Sequence, residues 1–223
     1  MKAKLAAKAI AFFLVGAALV ALLLFPPAGT LAYPGAWRLM GLLFIPMVIM
    51  GVLLLLFAPE VLKKRLNAKE KMGDQKRVIG ISGLLFLAGF VLAGLDFRFG
   101  WTQVPGWLVA VSSVIFVGSY AMYGEVMREN AWISRTVEVQ EGQKVVSTGL
   151  YGVVRHPMYL AASLMFTAMP LVLGSFVSFA VFLVYPFVMA VRIRGEEELL
   201  TRELDGYAAY KQKVRYRMLP FIW

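Results

Sequence analysis

Six apolar segments follow one another along the chain, separated by stretches of polar and charged residues. They are Leu5–Phe25, Arg38–Ala58, Val78–Leu95, Pro105–Glu125, Pro157–Leu173 and Ser175–Val191. A helix needs about 20 mostly apolar residues to cross a bilayer, and the first four segments meet that length. The last two are shorter, and only Gly174 separates them. The pattern predicts an all-α integral membrane protein with about six transmembrane segments, of which the last two form a tight helical hairpin.

Basic residues are concentrated at the two termini and in alternate loops between these segments. These regions hold 21 of the 23 Lys and Arg residues, namely Lys2, Lys4, Lys8, Lys63, Lys64, Arg65, Lys69, Lys71, Lys76, Arg77, Arg128, Arg135, Lys144, Arg155, Arg192, Arg194, Arg202, Lys211, Lys213, Arg215 and Arg217. Arg38 and Arg98 lie on the opposite side. Cytoplasmic loops carry the positive excess in membrane proteins. We therefore expect a multi-pass protein with both termini in the cytoplasm.

The net charge of +10 bears on the partners of the chain. Nucleic-acid binding is one reading of such a charge. Basic residues along one membrane face, where they meet anionic lipid headgroups, explain it better. We expect membrane lipids as partners and no nucleic acid.

The chain has no cysteine and one histidine, His156. It therefore has no disulfide, no cysteine nucleophile and no thiolate metal site, and we expect no bound metal. Its start, three lysines before an apolar run, resembles a signal peptide. The run Ala9–Phe25 is longer than the 7–15 apolar residues of a typical signal peptide, so we interpret it as the first spanning helix.

The chain divides into two unlike halves. Residues 1–126 contain four apolar segments with few polar residues inside them. In residues 127–223, the alternation from Val137 to Val146 around Gly142 predicts a short hairpin or an extended surface segment. From Arg194 to Val214 apolar residues recur at helical spacing, which predicts a cytoplasmic amphipathic helix at the C-terminus.

Three polar strings in the second half are candidates for chemistry. They are Arg155-His156-Pro157-Met158-Tyr159, then Arg192-Ile193-Arg194-Gly195-Glu196-Glu197-Glu198, and then Tyr207-Ala208-Ala209-Tyr210 with the basic tail that ends at Pro220. Each string alone has a structural explanation. Proline suits the first position of a helix, acidic residues suit a first turn, and aromatic and arginine side chains lie along headgroups.

Together, these strings and Gly149-Leu150-Tyr151 resemble the isoprenylcysteine carboxyl methyltransferase family. The wider group includes the phospholipid N-methyltransferases. The resemblance covers about residues 127–220, and the first half is similar only in its transmembrane helices. It implies an integral membrane enzyme that uses S-adenosylmethionine in a pocket built from the C-terminal helices. The chain agrees in having no G-x-G-x-x-G motif after a predicted strand.

The resemblance also assigns roles to individual residues. It implies that Arg155 and His156 are catalytic, and that the cofactor is bound by Tyr151, His156, Pro157, Tyr159, Glu196 and Glu197. A carboxylate such as Glu197 can pair with the cofactor's ammonium or hold its ribose hydroxyls. Arg155 can grip a carboxylate with two parallel hydrogen bonds. The family's phenylalanine-glycine before the tyrosine pair is replaced by Leu204-Asp205-Gly206.

The same resemblance indicates the class of the methyl acceptor but does not name the molecule. It implies a lipophilic small molecule or prenylated substrate at the cytoplasmic membrane face, with carboxyl O-methylation favoured. A carboxylate acceptor needs little acid–base help, so positioning and desolvation supply most of the rate. An amine acceptor must lose a proton, and His156 is the nearest candidate to take it.

Two other functions compete with methyl transfer. The ending Val214–Trp223 is similar to the tails of the NADPH-dependent sterol and steroid reductases. The acidic pair Glu196-Glu197 argues against that reading, because a dinucleotide phosphate requires cations. The third reading is a membrane scaffold that has lost its activity.

Overall fold

The computed structural model describes residues 2–66, 73–133 and 138–223. All regular structure in these ranges is helical, as the sequence predicts, and they contain no strand. Some residues of the sequence predictions lie outside the described ranges. These are Lys69, Lys71, Arg135 and Val137.

The helices follow the predicted apolar segments closely. The α-helices are α1 (Lys2–Ala28), α2 (Pro34–Phe57), α3 (Pro59–Arg65), α4 (Gly73–Phe99), α5 (Gly106–Glu129), α6 (Pro157–Leu173), α7 (Phe176–Phe182), α8 (Tyr185–Glu203) and α9 (Tyr207–Lys213). A 3₁₀ helix, Gly149–Gly152, precedes α6. α6 has the predicted bounds. α1 and α4 extend beyond their predicted segments at both ends, and α2 extends beyond its segment at the start.

Five stretches of the described chain are long and apolar enough to cross a membrane: α1, α2, α4, α5 and the α7–α8 region Phe176–Glu203. α6 is shorter, with 17 residues. Large apolar side chains face outward, for example Phe57, Val114 and Phe187, which are 80%, 72% and 74% exposed. A surface of this kind suits lipid rather than water, so the structure agrees with a multi-pass membrane protein.

The sixth predicted segment, Ser175–Val191, lies, apart from Ser175, in an apolar stretch long enough to cross a membrane, but it is not one continuous helix. α7 ends at Phe182, and α8 begins at Tyr185 and continues to Glu203. Pro186 explains the break, because proline has no N–H and its ring clashes with the carbonyl four residues earlier, which belongs to Phe182. Proline is tolerated in the first turn of the helix that follows.

The amphipathic stretch Arg194–Val214 is also not one helix. Its first part completes α8, the chain turns at Gly206 with a φ of +82°, and its last part forms α9. The segment 138–146 turns at Gly142 (φ +72°), where Gln143 N donates to Gln140 O over 3.0 Å. No strand forms in this described part of the predicted hairpin.

Hydrogen bonds hold the helices together at the end of the bundle that lies away from Arg155. Tyr33 Oη donates to Leu173 O over 2.9 Å, and Arg38 Nη1 donates to Val172 O over 3.1 Å. The buried Asp96 carboxylate accepts bonds from the Thr102 backbone (2.7 Å) and from the hydroxyl groups of Thr102 and Ser175.

The two basic residues outside the predicted cytoplasmic set lie at this end. Arg38 contacts the last turn of α6, and Arg98 lies beside Gly29. Arg155 precedes the first turn of α6, a helix of about 25 Å at 1.5 Å per residue. Arg38 and Arg98 therefore lie at the opposite end of α6 from Arg155.

A cluster of buried apolar residues holds the candidate chemistry in place at the other end. It brings the start of α6, the middle of α8 and the C-terminal tail together through Tyr159, Met189, Ile193 and Met218. A neighbouring cluster joins α8 to α9 through Leu200, Leu204, Tyr207 and Tyr210. The three polar strings of the sequence thereby meet in one place.

Candidate active site

The segment before α6 is fixed by backbone hydrogen bonds to the C-terminal tail. Arg155 N donates to Tyr216 O over 2.9 Å, and His156 N donates to Arg217 O over 2.8 Å. His156 is the N-cap of α6, and its carbonyl accepts from Tyr159 N over 3.1 Å. Pro157 takes the first helical position, where its missing N–H costs nothing. The backbone that carries the side chains of Arg155 and His156 is therefore held in place.

Arg155 connects this segment to α8 and to the tail. Its Nε lies 2.6 Å from Glu197 Oε1, and the two side chains are 6% and 3% exposed. Its Nη1 donates to Val214 O over 2.7 Å and to Arg215 O over 2.8 Å. A buried arginine with a paired charge and two carbonyl acceptors is well satisfied. This side chain therefore fixes the relative positions of three chain segments.

Glu197 has further partners besides Arg155. Its Oε1 lies 3.3 Å from His156 Nε2, and its Oε2 accepts from Arg217 Nε over 2.9 Å. Both carboxylate oxygens are thus engaged by side chains of the protein. Glu197 acts in this structure as the centre of a buried ionic network.

The adjacent residue Glu196 is placed differently. Its side chain is 23% exposed, and its Oε1 lies 3.9 Å from His156 Nδ1. Its Oε2 accepts from Tyr159 Oη over 2.5 Å, and that hydroxyl accepts in turn from Arg192 Nε over 3.0 Å. The His156 and Tyr159 rings stack with centroids 5.7 Å apart. Glu196 therefore offers a charged oxygen beside two aromatic rings.

These groups line an open cavity between the segments 130–133 and 138–146 and helices α6, α8 and α9. The cavity volume is about 100 Å³, below the range of about 300–1,000 Å³ that is typical of small-molecule sites. Its walls include Arg155, His156, Tyr159, Glu196, Leu200, Leu204, Tyr207, Tyr210, Val145 and Tyr151. The cavity thus combines both signs of charge with aromatic and aliphatic surface.

Three tyrosines outside the apolar helices complete the wall. Tyr210 Oη donates to Tyr151 O over 2.7 Å, and Asn130 Nδ2 donates to Tyr151 Oη over 2.9 Å. Burial raises the pKa of Tyr151 to about 12, and it also raises the pKa values of Tyr207 and Tyr210 above their usual range. All three hydroxyls are therefore neutral at physiological pH.

The structure brings the residues predicted from the sequence into one site, but not all of them line the cavity. The cavity is lined by Tyr151, Arg155, His156, Tyr159 and Glu196. Pro157 begins α6 beside it. Glu197, predicted to contact the cofactor, lies in the ionic network behind the wall.

Sequence reasoning assigned no role to Arg192, Arg217 and Asn130. Arg192 could have been found, since it lies one helical turn before Glu196 and the two share a helix face. In the sequence, Arg217 is only one of several basic residues in the C-terminal tail. Asn130 lies in an irregular segment, and nothing in the sequence points to it.

One comparison with known proteins is informative about this site. Residues 101–206 match the family model for phospholipid methyltransferases, and this stretch contains every predicted site residue. That family and the isoprenylcysteine carboxyl methyltransferases belong to the same wider group. The match supports a membrane methyltransferase and does not single out the isoprenylcysteine branch. No curated protein matches the chain.

Proposed function

We propose that this protein is an integral membrane methyltransferase that uses S-adenosylmethionine and methylates a lipophilic acceptor at the cytoplasmic face. The observation that carries the proposal is the cavity in which Glu196, Arg155, His156 and Tyr159 meet at one end of an apolar helical bundle. The family match over residues 101–206 supports it independently.

The donor set of the cavity fits this cofactor. S-adenosylmethionine combines an amino acid head, a sulfonium and an adenosine, and it supplies a methyl group that is transferred by in-line displacement. The Glu196 carboxylate can pair with an ammonium or with ribose hydroxyls through charge-assisted hydrogen bonds. The rings of His156 and Tyr159 offer a flat aromatic surface for adenine.

The two glutamates then have different tasks. Glu196 contacts the cofactor, because its carboxylate is partly exposed to the cavity. Glu197 positions Arg155, His156 and Arg217 through its two oxygens. This division revises the expectation that Glu197 itself binds the cofactor.

The chemical class of the acceptor determines which groups the site must provide. A lipophilic carboxylate, such as an isoprenylcysteine-like group, arrives ionised, and Arg155 attracts it without any proton transfer. A lipid amine must lose a proton, and His156 is the group in the cavity that can accept it. A carboxylate acceptor is favoured by the positive charge of Arg155, which lines the cavity.

We place this site at the cytoplasmic face, with both termini on the same side. The proposal rests on the positive excess in the loops around the site and on the location of Arg38 and Arg98 at the remote end of the bundle. The water-soluble cofactor then enters from the cytoplasm, and the lipophilic acceptor approaches sideways from the bilayer. They meet at headgroup level beside His156.

A second candidate function is an NADPH-dependent membrane reductase. A groove on the opposite side of Glu197 favours it, because four cations line that groove: Arg194, Arg202, Lys211 and Arg217. Such a set attracts phosphate groups. The groove also contains the carboxylates of Glu197 and Glu198, which weaken this attraction.

Titration of the purified protein with S-adenosylmethionine and with NADPH separates these functions. The proposal predicts saturable binding of S-adenosylmethionine and none of NADPH. Saturable binding of NADPH alone would establish the reductase. Binding of neither ligand would favour the inactive scaffold.

A further inference from the structure

The hydroxyl group of Tyr207 is buried against the cavity without a hydrogen-bond partner among the described residues. The residue is 4% exposed and forms part of the cavity wall. The neighbouring tyrosines differ: Tyr210 donates to Tyr151 O over 2.7 Å, and Tyr159 donates to Glu196. A buried polar group without a partner destabilises a fold, so this hydroxyl requires an explanation.

The charges around Tyr207 indicate what it can bind. Burial and the nearby carboxylates of Glu197 and Glu196 raise its pKa, while Arg155 acts in the opposite direction. The group is therefore a neutral phenol that can donate a hydrogen bond. It lies in the electrostatic field of two carboxylates, Glu197 and Glu196, and of one cation, Arg155.

An α-amino acid group matches this arrangement, because its ammonium and its carboxylate are separated by a single carbon atom. Glu196 is the partner for the ammonium. The carboxylate must then find a donor close to Glu196, and the Tyr207 hydroxyl lies on the same cavity wall without another partner among the described residues. A phenol hydrogen bond to a charged acceptor is among the stronger ones in proteins.

We propose that the Tyr207 hydroxyl donates a hydrogen bond to the carboxylate of the ligand's amino acid head, and so makes the cavity selective for ligands that carry this carboxylate. The inference rests on the proposed function, since it names the part of the cofactor that Tyr207 contacts. It also explains why the hydroxyl has no internal partner: the ligand completes its bonding.

The covering of Tyr207 shows how the ligand reaches it. Val139 and Val145, on the two arms of the turn at Gly142, pack against the cluster that contains Tyr207. The hydroxyl is closed off from water in this arrangement. The amino acid head therefore contacts the hydroxyl only after groups around it move apart.

The test compares two ligands on the full-length protein in lipid nanodiscs. S-adenosylhomocysteine carries the complete head, and its decarboxylated analogue keeps the adenosine and the amine. Calorimetric titration of wild type and Tyr207→Phe should show a roughly ten- to hundred-fold loss of affinity for S-adenosylhomocysteine. The affinity for the decarboxylated analogue should be the same in both proteins. Equal affinities of the two proteins for S-adenosylhomocysteine, or equal losses for both ligands, would overturn the inference.

Thermal unfolding of the ligand-free protein provides the structural control. Tyr207→Phe removes an unsatisfied hydroxyl, so its Tm should equal or exceed that of wild type. Tyr210→Phe removes an existing hydrogen bond and should lower the Tm. A Tm of Tyr207→Phe as low as that of Tyr210→Phe would contradict the inference, because the hydroxyl would then have an internal role. If wild type does not bind S-adenosylhomocysteine, the proposed function itself fails, which is a separate result.

Discussion

Arg155 and Glu197 are 42 residues apart in the chain, yet Arg155 Nε lies 2.6 Å from Glu197 Oε1 in a buried ion pair. The pair joins the segment before α6 to α8, and Arg155 also binds the tail through two carbonyls. Glu196, the residue before Glu197, has one carboxylate oxygen near the cavity. The two adjacent acidic residues therefore differ in their surroundings, and the proposed function gives them separate roles, one in the architecture and one in ligand binding.

The first prediction concerns these two glutamates. Glu196→Gln removes a charge from the cavity and should weaken S-adenosylmethionine binding roughly ten- to a hundred-fold, the effect of losing one charge-assisted bond of about 1.5–3 kcal/mol. Its Tm without ligand should stay close to that of wild type. Glu197→Gln should lower the Tm clearly, because Arg155 is left buried without its counter-charge.

Calorimetric titration and thermal unfolding of both variants provide the comparison. The assignment is contradicted if Glu196→Gln binds like wild type, or if Glu197→Gln keeps the full Tm and loses only affinity. The second outcome would restore Glu197 as the cofactor contact.

Arg155→Lys is the second prediction. Lysine keeps the charge but loses the planar group that reaches Glu197 and the carbonyls of Val214 and Arg215 together. Methyl transfer should fall strongly while membrane insertion is unchanged. Arg215→Lys is the control, since Arg215 is exposed. Wild-type turnover by Arg155→Lys would show that methyl transfer does not need the planar group of Arg155.

The third prediction tests the packing at the remote end of the bundle. A Cβ atom on Gly35 would overlap the carbonyl oxygen of Leu173, whereas nothing lies within 4 Å of the corresponding position at Gly41 in the same helix. Gly35→Ala should destabilise the protein by about 1–3 kcal/mol, as overpacking does. Gly41→Ala should leave the Tm unchanged or slightly higher. Similar Tm values for the two variants would contradict this packing.

The fourth prediction concerns alkaline pH. Burial raises the pKa of Tyr151 to about 12, whereas an unfolded tyrosine titrates near 10. Between these values the folded state holds a proton that the unfolded state has lost, so the stabilisation present below pH 10 declines as the pH rises through 12. Between about pH 10 and 12, the Tm of Tyr151→Phe should fall less steeply with rising pH than the Tm of wild type. Parallel curves for the two proteins would contradict the burial of this hydroxyl.

The sequence predicted the helices well, because the apolar pattern directly reflects the membrane surroundings. α6 begins and ends at the predicted residues, since Pro157 and Gly174 mark both ends. The break before α8 was missed, although Pro186 indicates it in retrospect. Apolar character alone does not distinguish one helix from two in succession.

The site was predicted in part. The motif residues meet as expected, because they lie on segments that pack together. The different positions of Glu196 and Glu197 could not be predicted, since neighbouring residues point about 100° apart around a helix and only the packing of α8 decides which one faces the cavity. The unpartnered hydroxyl of Tyr207 likewise depends on the position of α9 beneath the segment 138–146.

Methyl transfer itself tests the central claim most directly. Membranes containing the protein are incubated with S-adenosylmethionine that carries a labelled methyl group, and the label is measured in extracted lipids and in added lipophilic acids. Wild type should transfer label to one of these lipophilic acceptors, and Glu196→Gln should transfer far less at the same protein level. Absence of label from every lipophilic fraction with wild type, despite saturable binding of the cofactor, would contradict the account.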